Sequence, residues 1–101
     1  MKYGLKPKVI EAICNVFALF PEVEKVILYG SRAKGNFKNG SDIDLTIVGK
    51  NLNLTITNKI ELALDDLLLP YSFDISIYHQ ISNKELIEHI ERIGKLFFVK
   101  H

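Results

Sequence analysis

Two segments of this 101-residue chain alternate apolar and polar side chains, the pattern of a β-strand that buries only one face. In the first segment Asp42 and Asp44 alternate with apolar residues as far as Ile47. In the second segment Asp74 is the first polar residue of an alternation that reaches Tyr78. A strand with one apolar face must pack that face against another layer. The chain is therefore expected to fold as a sheet that is covered by helices.

Apolar residues at helical spacing supply the covering layer. They predict one helix over about residues 6–20 and another over about residues 54–69. Ser82 and Glu85 have the spacing of a capping box and predict the start of a last helix. The continuous apolar run 26–29 predicts a central strand that is buried on both faces.

The order of these segments predicts the fold class. Helix, strand, short helix, strand, helix, strand, helix and a short final strand or extended tail indicate an α/β (α+β) fold with a small mixed β-sheet and flanking helices. The connection between the first two strands is short, which predicts that these two strands pair antiparallel. A chain of 101 residues fits one domain, residues 1–101.

The charge balance excludes some functions. Thirteen Lys and Arg residues oppose twelve Asp and Glu residues, for a net charge of +1. Proteins that coat nucleic acid normally carry a basic excess, so no direct nucleic-acid binding is expected. There is no signal-peptide pattern and no apolar run near the roughly 20 residues that span a bilayer. We therefore expect no membrane association and a cytoplasmic location.

Cysteine and histidine offer no metal-binding pattern. Cys14 is the only cysteine, so an intramolecular disulfide is excluded. The three histidines, His79, His89 and His101, have no mutual spacing typical of a metal site. His89 is expected on the exposed side of the last helix.

The aspartates are the candidates for chemistry. Asp42 and Asp44 are two residues apart on one predicted strand, so their carboxylates leave the same face. Adjacent like charges are unfavourable without a cation, and Mg²⁺ commonly binds one or two carboxylates plus substrate phosphates. If the strand of Asp74 pairs next to this one, a third carboxylate completes a site for two metal ions about 3.5–4 Å apart. Asp74 is then also placed to take a proton from an attacking hydroxyl.

A second candidate element is the dipeptide Gly30-Ser31 at the end of the first strand. Ser31 is expected to cap a short helix, whose free N–H groups favour phosphate. Gly30 lets the backbone come close, and Ser31 adds a hydroxyl donor. Arg32 and Lys34 lie just beyond and are candidates to neutralise phosphate charge.

Each candidate also has a structural interpretation. Taken singly, Ser31 is more often a helix cap, Asp42 a turn residue and Asp74 a charge at a strand edge. Arg32 and Lys34 are each more often solvated surface residues. The combination favours function, because burying a pair of carboxylates for structure alone is energetically unfavourable.

These residues resemble a known signature. Gly30-Ser31, ten further residues and then Asp42-Ile43-Asp44 are similar to the G-S-x10-D-x-D motif of the nucleotidyltransferase superfamily related to DNA polymerase β. The longer stretches around the motif, residues 30–35 and 41–45, resemble the minimal nucleotidyltransferase (MNT, or MntA-like) group. The resemblance covers nearly the whole chain and implies a nucleotidyltransferase fold.

The resemblance implies an activity and a partner. Members of this group sit beside a HEPN-domain protein in toxin–antitoxin pairs and act as antitoxins by AMPylation, moving AMP from ATP to a tyrosine of the toxin. By this resemblance Asp42, Asp44 and Asp74 bind Mg²⁺, expected as two ions, and Gly30 and Ser31 hold the phosphates of ATP. The implied partner is a HEPN-domain protein encoded nearby, in a type VII-like pair.

Two alternatives remain open from the sequence. The chain can act as a non-catalytic antitoxin that neutralises its partner by binding alone. It can also transfer the nucleotidyl group to a small molecule such as an aminoglycoside.

Overall fold

A computed structural model describes residues 1–100 of the chain. This range forms four α-helices, four β-strands and one turn of 3₁₀ helix at Tyr78–Gln80. The elements in chain order are α1 (Pro7–Ala18), β1 (Lys25–Tyr29), α2 (Gly30–Lys34), β2 (Ile43–Val48), α3 (Leu54–Asp65), β3 (Phe73–Ile77), α4 (Lys84–Ile93) and β4 (Lys95–Val99).

The four strands form one mixed sheet in the order β3-β2-β1-β4. Strand β1 is antiparallel to both β2 and β4, whereas β2 and β3 are parallel. The predicted mixed sheet and the predicted antiparallel pairing of the first two strands are thus confirmed. The parallel pair requires a crossover connection, which α3 provides.

Helices α1 and α3 cover one face of the sheet. The alternating residues Ile43, Leu45 and Ile47 are fully buried there, as their spacing predicted. They share one apolar cluster with Phe17 of α1 and Ile60 of α3. Burying a side chain of this size contributes about 1.5–3 kcal/mol each, so this face holds the sheet in place.

The opposite face of the sheet is only partly covered. Helix α4 contacts β1 there, and Ile90 of this helix is 3% exposed. The pleat places Tyr29 of β1 and Asp44 of β2, which are register partners, on this same face. The helix therefore covers part of the face that carries the acidic residues.

Two helices end earlier than predicted. Helix α1 ends at Ala18 rather than at residue 20, because Pro21 disfavours a helical conformation at the residue before it. Helix α3 ends at Asp65 rather than at residue 69. Leu68, which lies within the range predicted for this helix, has a positive φ of 55° and is 89% exposed. The chain thus leaves the helix before this residue.

Two predicted helix caps were wrong. The Asn83 side chain, not that of Ser82, caps α4: its Oδ1 accepts hydrogen bonds from the backbone N–H groups of Glu85 (2.9 Å) and Leu86 (3.2 Å). Helix α2 begins at Gly30, so Ser31 lies inside the first turn and makes no capping hydrogen bond. The backbone N–H of Gly30, the first residue of α2, therefore has no side-chain acceptor at the start of its own helix.

None of the helices within residues 1–100 is long and apolar enough to cross a membrane; α1 and α3, at 12 residues each, are the longest. This follows from the short apolar segments of the sequence.

Gly94 determines how closely the end of α4 approaches β1. A Cβ atom at this position lies 2.8 Å from Cγ2 of Ile27 and overlaps the carbonyl oxygen of Ile90. Neither neighbour is a flexible side-chain end, so a larger residue must displace the helix. Gly40, by contrast, has open space around the position of a Cβ atom.

We predict that Gly94→Ala destabilises the protein by about 1–3 kcal/mol, because the added methyl group overpacks the contact between α4 and β1. The same substitution in open space, Gly40→Ala, is expected to change the free energy of unfolding by at most about 0.5 kcal/mol. Urea denaturation of both variants measures the difference. Equal midpoints would show that the helix does not depend on this contact.

Candidate functional site

Two of the three predicted aspartates lie side by side on the partly open face of the sheet. Asp44 of β2 is the register partner of Asp74 of β3 in the parallel pair. Register partners of neighbouring strands share a face, so both carboxylates lie on the side away from α1 and α3. Strands β2 and β3 are therefore neighbours, which is the condition that the sequence analysis set for bringing Asp74 close to Asp44.

Asp42 occupies a different position. It directly precedes β2 and is exposed, whereas Asp44 is half-buried. Its charge is close enough to act on Asp44. Within residues 1–100, however, no three His, Cys, Asp or Glu side chains are already grouped tightly enough to hold a metal ion. The fold thus joins Asp44 to Asp74 and leaves Asp42 at the rim.

No Lys or Arg side chain within residues 1–100 forms an ion pair with these carboxylates. Burial raises the pKa of the Asp44 carboxyl above its ordinary value, and the charges of Asp74 and then Asp42 raise it further. His89 acts in the opposite direction. The ion pair found within residues 1–100, Arg92 with Glu88, lies on the surface of α4 and does not involve this group. An oxygen-rich, acidic cluster with no Lys or Arg ion-pair partner in this range fits a hard divalent ion such as Mg²⁺.

Tyr29 forms part of the site floor. It is 7% exposed and is the register partner of Asp44 on β1. Burial raises the pKa of its hydroxyl, and the charges of Asp74 and Asp44 add to the rise. The nearby Ser76 hydroxyl acts in the opposite direction and lowers this pKa. The Ser76 Oγ is buried and has no partner within residues 1–100 that meets the geometry of a hydrogen bond.

Gly30 is required by the close approach of α2 to Asp44. Its φ is +74°, a left-handed conformation that favours glycine. A Cβ atom at this position overlaps Oδ2 of Asp44 and lies 3.2 Å from its Cγ. Any side chain here would collide with the carboxylate. The absence of a side chain therefore lets the Gly30-Ser31 turn lie directly beside the acidic pair, with Ser31 half-buried in it.

His89 was expected on the exposed side of α4, and this prediction was wrong. Its Nε2 accepts a hydrogen bond from the backbone N–H of Gly30 at 3.1 Å. Its ring meets the ring of Tyr29 edge-on, at 6.2 Å between centroids and an interplanar angle of 79°. No local pattern could have indicated this contact, because the two hydrogen-bonded residues are 59 positions apart.

Arg32 does not occupy the position predicted for a phosphate ligand. It is 2% exposed. Its Nη1 donates to the carbonyl of Tyr3 at 2.8 Å, and its Nε and Nη2 donate to the carbonyl of Ser41 at 3.1 and 2.8 Å. The guanidinium also lies 5.3 Å from the Phe37 ring centroid and 5.0 Å from that of Tyr71. The side chain is committed to holding the segment that leads to Asp42.

Lys34, the other predicted phosphate neutraliser, is the last residue of α2 and is exposed. The structure therefore leaves the predicted role of Lys34 as a prediction.

The family of the chain follows from comparison with known proteins. The family model described as "Polymerase beta, Nucleotidyltransferase" matches residues 11–101. The chain therefore belongs to the polymerase β nucleotidyltransferase family, and the expected superfamily is confirmed. No curated protein sequence matches it significantly.

Solved structures with a similar fold include toxin–antitoxin complexes. One is a toxin–antitoxin crystal structure with AMP-PNP, at a TM-score of 0.74 and 18% identity over 91% of this chain and 74% of the other. A second is tri-AMPylated Shewanella oneidensis HEPN toxin in complex with MNT antitoxin, at 0.69 and 15% over 95% and 74%. A third is the toxin–antitoxin MntA-HepT, at 0.69 and 15% over 94% and 74%. At this identity the likeness establishes the fold.

We predict that Arg32→Lys destabilises the protein by about 1–3 kcal/mol, because an ammonium cannot serve both carbonyls and both aromatic rings. The same substitution at the exposed Arg92 is the matched control, with an expected change within about 0.5 kcal/mol. Chemical denaturation measures both. A stability unchanged by Arg32→Lys would contradict the structural role.

We also predict that Asp44→Asn stabilises the metal-free protein. Between the unfolded pKa of Asp44 and its raised pKa in the fold, the folded chain binds more protons, so the free energy of unfolding falls as pH rises through this window. At neutral pH the variant should show a higher Tm in EDTA, with about 4–8 °C for each kcal/mol gained.

At a pH below this window the wild-type carboxyl is protonated, so the two Tm values should converge. Glu61→Gln, which neutralises an exposed carboxylate on α3, is the control and should leave Tm nearly unchanged at every pH. A lower Tm for Asp44→Asn at neutral pH would show that Asp44 is compensated in the fold.

Proposed function

We propose that this chain is a Mg²⁺-dependent nucleotidyltransferase that moves AMP from ATP to a tyrosine hydroxyl of a HEPN-type toxin encoded nearby, and so acts as the antitoxin. The observation that carries the proposal is the placement of the Gly30-Ser31 turn against the paired carboxylates of Asp44 and Asp74. This arrangement provides a place for phosphate beside a place for a cation. A cytoplasmic location agrees with this function.

The solved structures of similar fold support the choice of substrate and acceptor. One of them is a toxin–antitoxin with AMP-PNP, an analogue of ATP, and another contains an AMPylated HEPN toxin with its MNT antitoxin. The family membership of this chain supplies the reaction class. The proposal assigns ATP and a HEPN-type partner to this chain as well.

The acidic residues of the chain fit the metal that such a reaction uses. Asp42, Asp44 and Asp74 would hold Mg²⁺, and the ion when bound supplies positive charge to the phosphates and to the oxygens that change bonds. Asp44 and Asp74 are already adjacent. Asp42 directly follows Ser41, whose carbonyl accepts hydrogen bonds from Arg32, and its charge acts on Asp44.

The other residues bind and orient the nucleotide. The Gly30-Ser31 turn receives the triphosphate through the Ser31 backbone N–H and hydroxyl, since the Gly30 N–H already donates to His89. Lys34, exposed at the end of the same helix, adds a mobile positive charge. Arg32 has no part in this contact, since its donors already bind carbonyl oxygens of the chain.

The reaction itself is a displacement at phosphorus. The tyrosine oxygen forms a bond to the α-phosphorus of ATP, and the bond from that phosphorus to the departing pyrophosphate breaks. Asp74 accepts the proton of the tyrosine hydroxyl. It lies at the start of an edge strand and is exposed, so an acceptor presented by a partner can reach it.

The test uses the chain, ATP labelled on the α-phosphate, Mg²⁺ and the neighbouring HEPN protein. We expect label on a partner tyrosine, and a loss of at least about 100-fold in rate for Asp44→Asn or Asp42→Asn, since such charges contribute several kcal/mol. Asp66→Asn, an exposed aspartate at the end of α3, is the control and should transfer at the wild-type rate. EDTA should abolish transfer.

Either of two outcomes would contradict the proposal. If Asp42→Ala, Asp44→Ala protein still neutralises the toxin in cells, the chain acts by binding alone. If label appears on a small hydroxyl compound such as an aminoglycoside and not on the partner, the acceptor has been assigned wrongly.

A further inference from the structure

Helix α2 has no capping side chain of its own. Tyr29 occupies the cap position, and its side chain makes no hydrogen bond to the helix. A helix N-terminus leaves its first backbone N–H groups without partners inside the helix. In this fold the N–H of Gly30 is satisfied by Nε2 of His89, from a helix near the other end of the chain. His89 thus serves as a cap supplied by tertiary contact.

The packing of α4 fixes the His89 imidazole in this position. The next residue, Ile90, is buried, and Gly94 lets the end of the helix come close to Ile27 of β1. The edge-on contact with the Tyr29 ring orients the imidazole. Nε2 is the acceptor of this hydrogen bond and therefore carries no hydrogen itself.

The Gly30 amide needs a hydrogen-bond partner because a glycine residue has little intrinsic preference for one backbone conformation. Gly30 adopts a φ of +74°, and glycine populates negative φ values about as readily. Any other residue would have to displace the Asp44 carboxylate and adopt a strained left-handed conformation. The position of the Asp44 carboxylate therefore favours glycine at residue 30. Because glycine is flexible, a contact from elsewhere in the chain is needed to hold the turn in one conformation.

We infer that His89 is a positioning residue for the nucleotide site: by holding the Gly30 amide, it keeps the Gly30-Ser31 turn in the conformation that receives phosphate beside Asp44. The inference rests on the proposed function for its phosphate ligand. His89 acts through Gly30 and does not itself touch the nucleotide. Without His89 the phosphate-binding conformation of the turn is one of several. The apparent affinity for the nucleotide then falls in proportion to the fraction of molecules that still adopt it.

The experiment compares His89→Leu, which removes the acceptor, with His89→Gln, whose amide oxygen reaches a point close to that of Nε2. Binding of AMP-PNP with Mg²⁺ is measured by calorimetry. We expect His89→Leu to weaken binding roughly tenfold, as for the loss of a partly buried hydrogen bond, and His89→Gln to recover most of it. In transfer assays KM for ATP should rise with the same pattern, and kcat should change less.

His79→Leu is the matched control, because His79 is exposed and lies outside the site. It should bind AMP-PNP with wild-type affinity. If His89→Leu does not fold, His89→Asn replaces it: its shorter side chain keeps polarity but cannot reach the Gly30 amide, so it should bind as weakly as expected for the leucine variant.

Amide hydrogen exchange at Gly30 tests the contact without nucleotide. Protection should be lost in His89→Leu or His89→Asn and retained in His89→Gln. Wild-type affinity in a folded His89→Leu protein, or binding by His89→Gln no stronger than by the leucine variant, would overturn the inference and leave the proposed function standing. Failure of the wild-type protein to bind AMP-PNP with Mg²⁺ would overturn both.

Discussion

The repulsion among carboxylates at the start of β2 is the constraint around which the partly open face of the sheet is arranged. Asp44 and Asp74 are held side by side by the register of a parallel strand pair, and Asp42 adds a third charge nearby. Apolar burial on the opposite face provides the free energy that keeps these strands together against the repulsion. The same polypeptide thus stores an unfavourable charge cluster on one side of a stable sheet, which is what a cation-dependent site requires.

This cluster has consequences for its neighbours. The Asp44 carboxylate fills the space where a side chain of residue 30 would be, so the adjacent turn has to be glycine. A glycine turn beside a charge is poorly defined by itself, and the His89 contact defines it. The position of α4, and of Gly94 at its end, is then connected to the conformation of the Gly30 turn.

The elements that the sequence predicted well are those set by local periodicity. The alternation in β2 and β3 predicted their faces, and the positions of Asp44 and Asp74 followed once the strands were neighbours. Caps and helix ends were less predictable, since Asn83 and Ser82 are adjacent and either can cap a helix in isolation. Arg32 was misplaced because its partners, Tyr3 and Tyr71 among them, come from distant parts of the chain.

The sequence by itself determined the family, the buried face of each polar strand and the glycine beside the acidic motif. These depend on geometry within a few residues, because alternate side chains of a strand share a face whatever surrounds them. Only the tertiary structure decided that β3 lies next to β2, that Asp42 stays at the rim, that Arg32 points into the protein and that His89 meets Gly30. Those outcomes depend on how helices pack on the sheet, and that packing is a property of the whole chain.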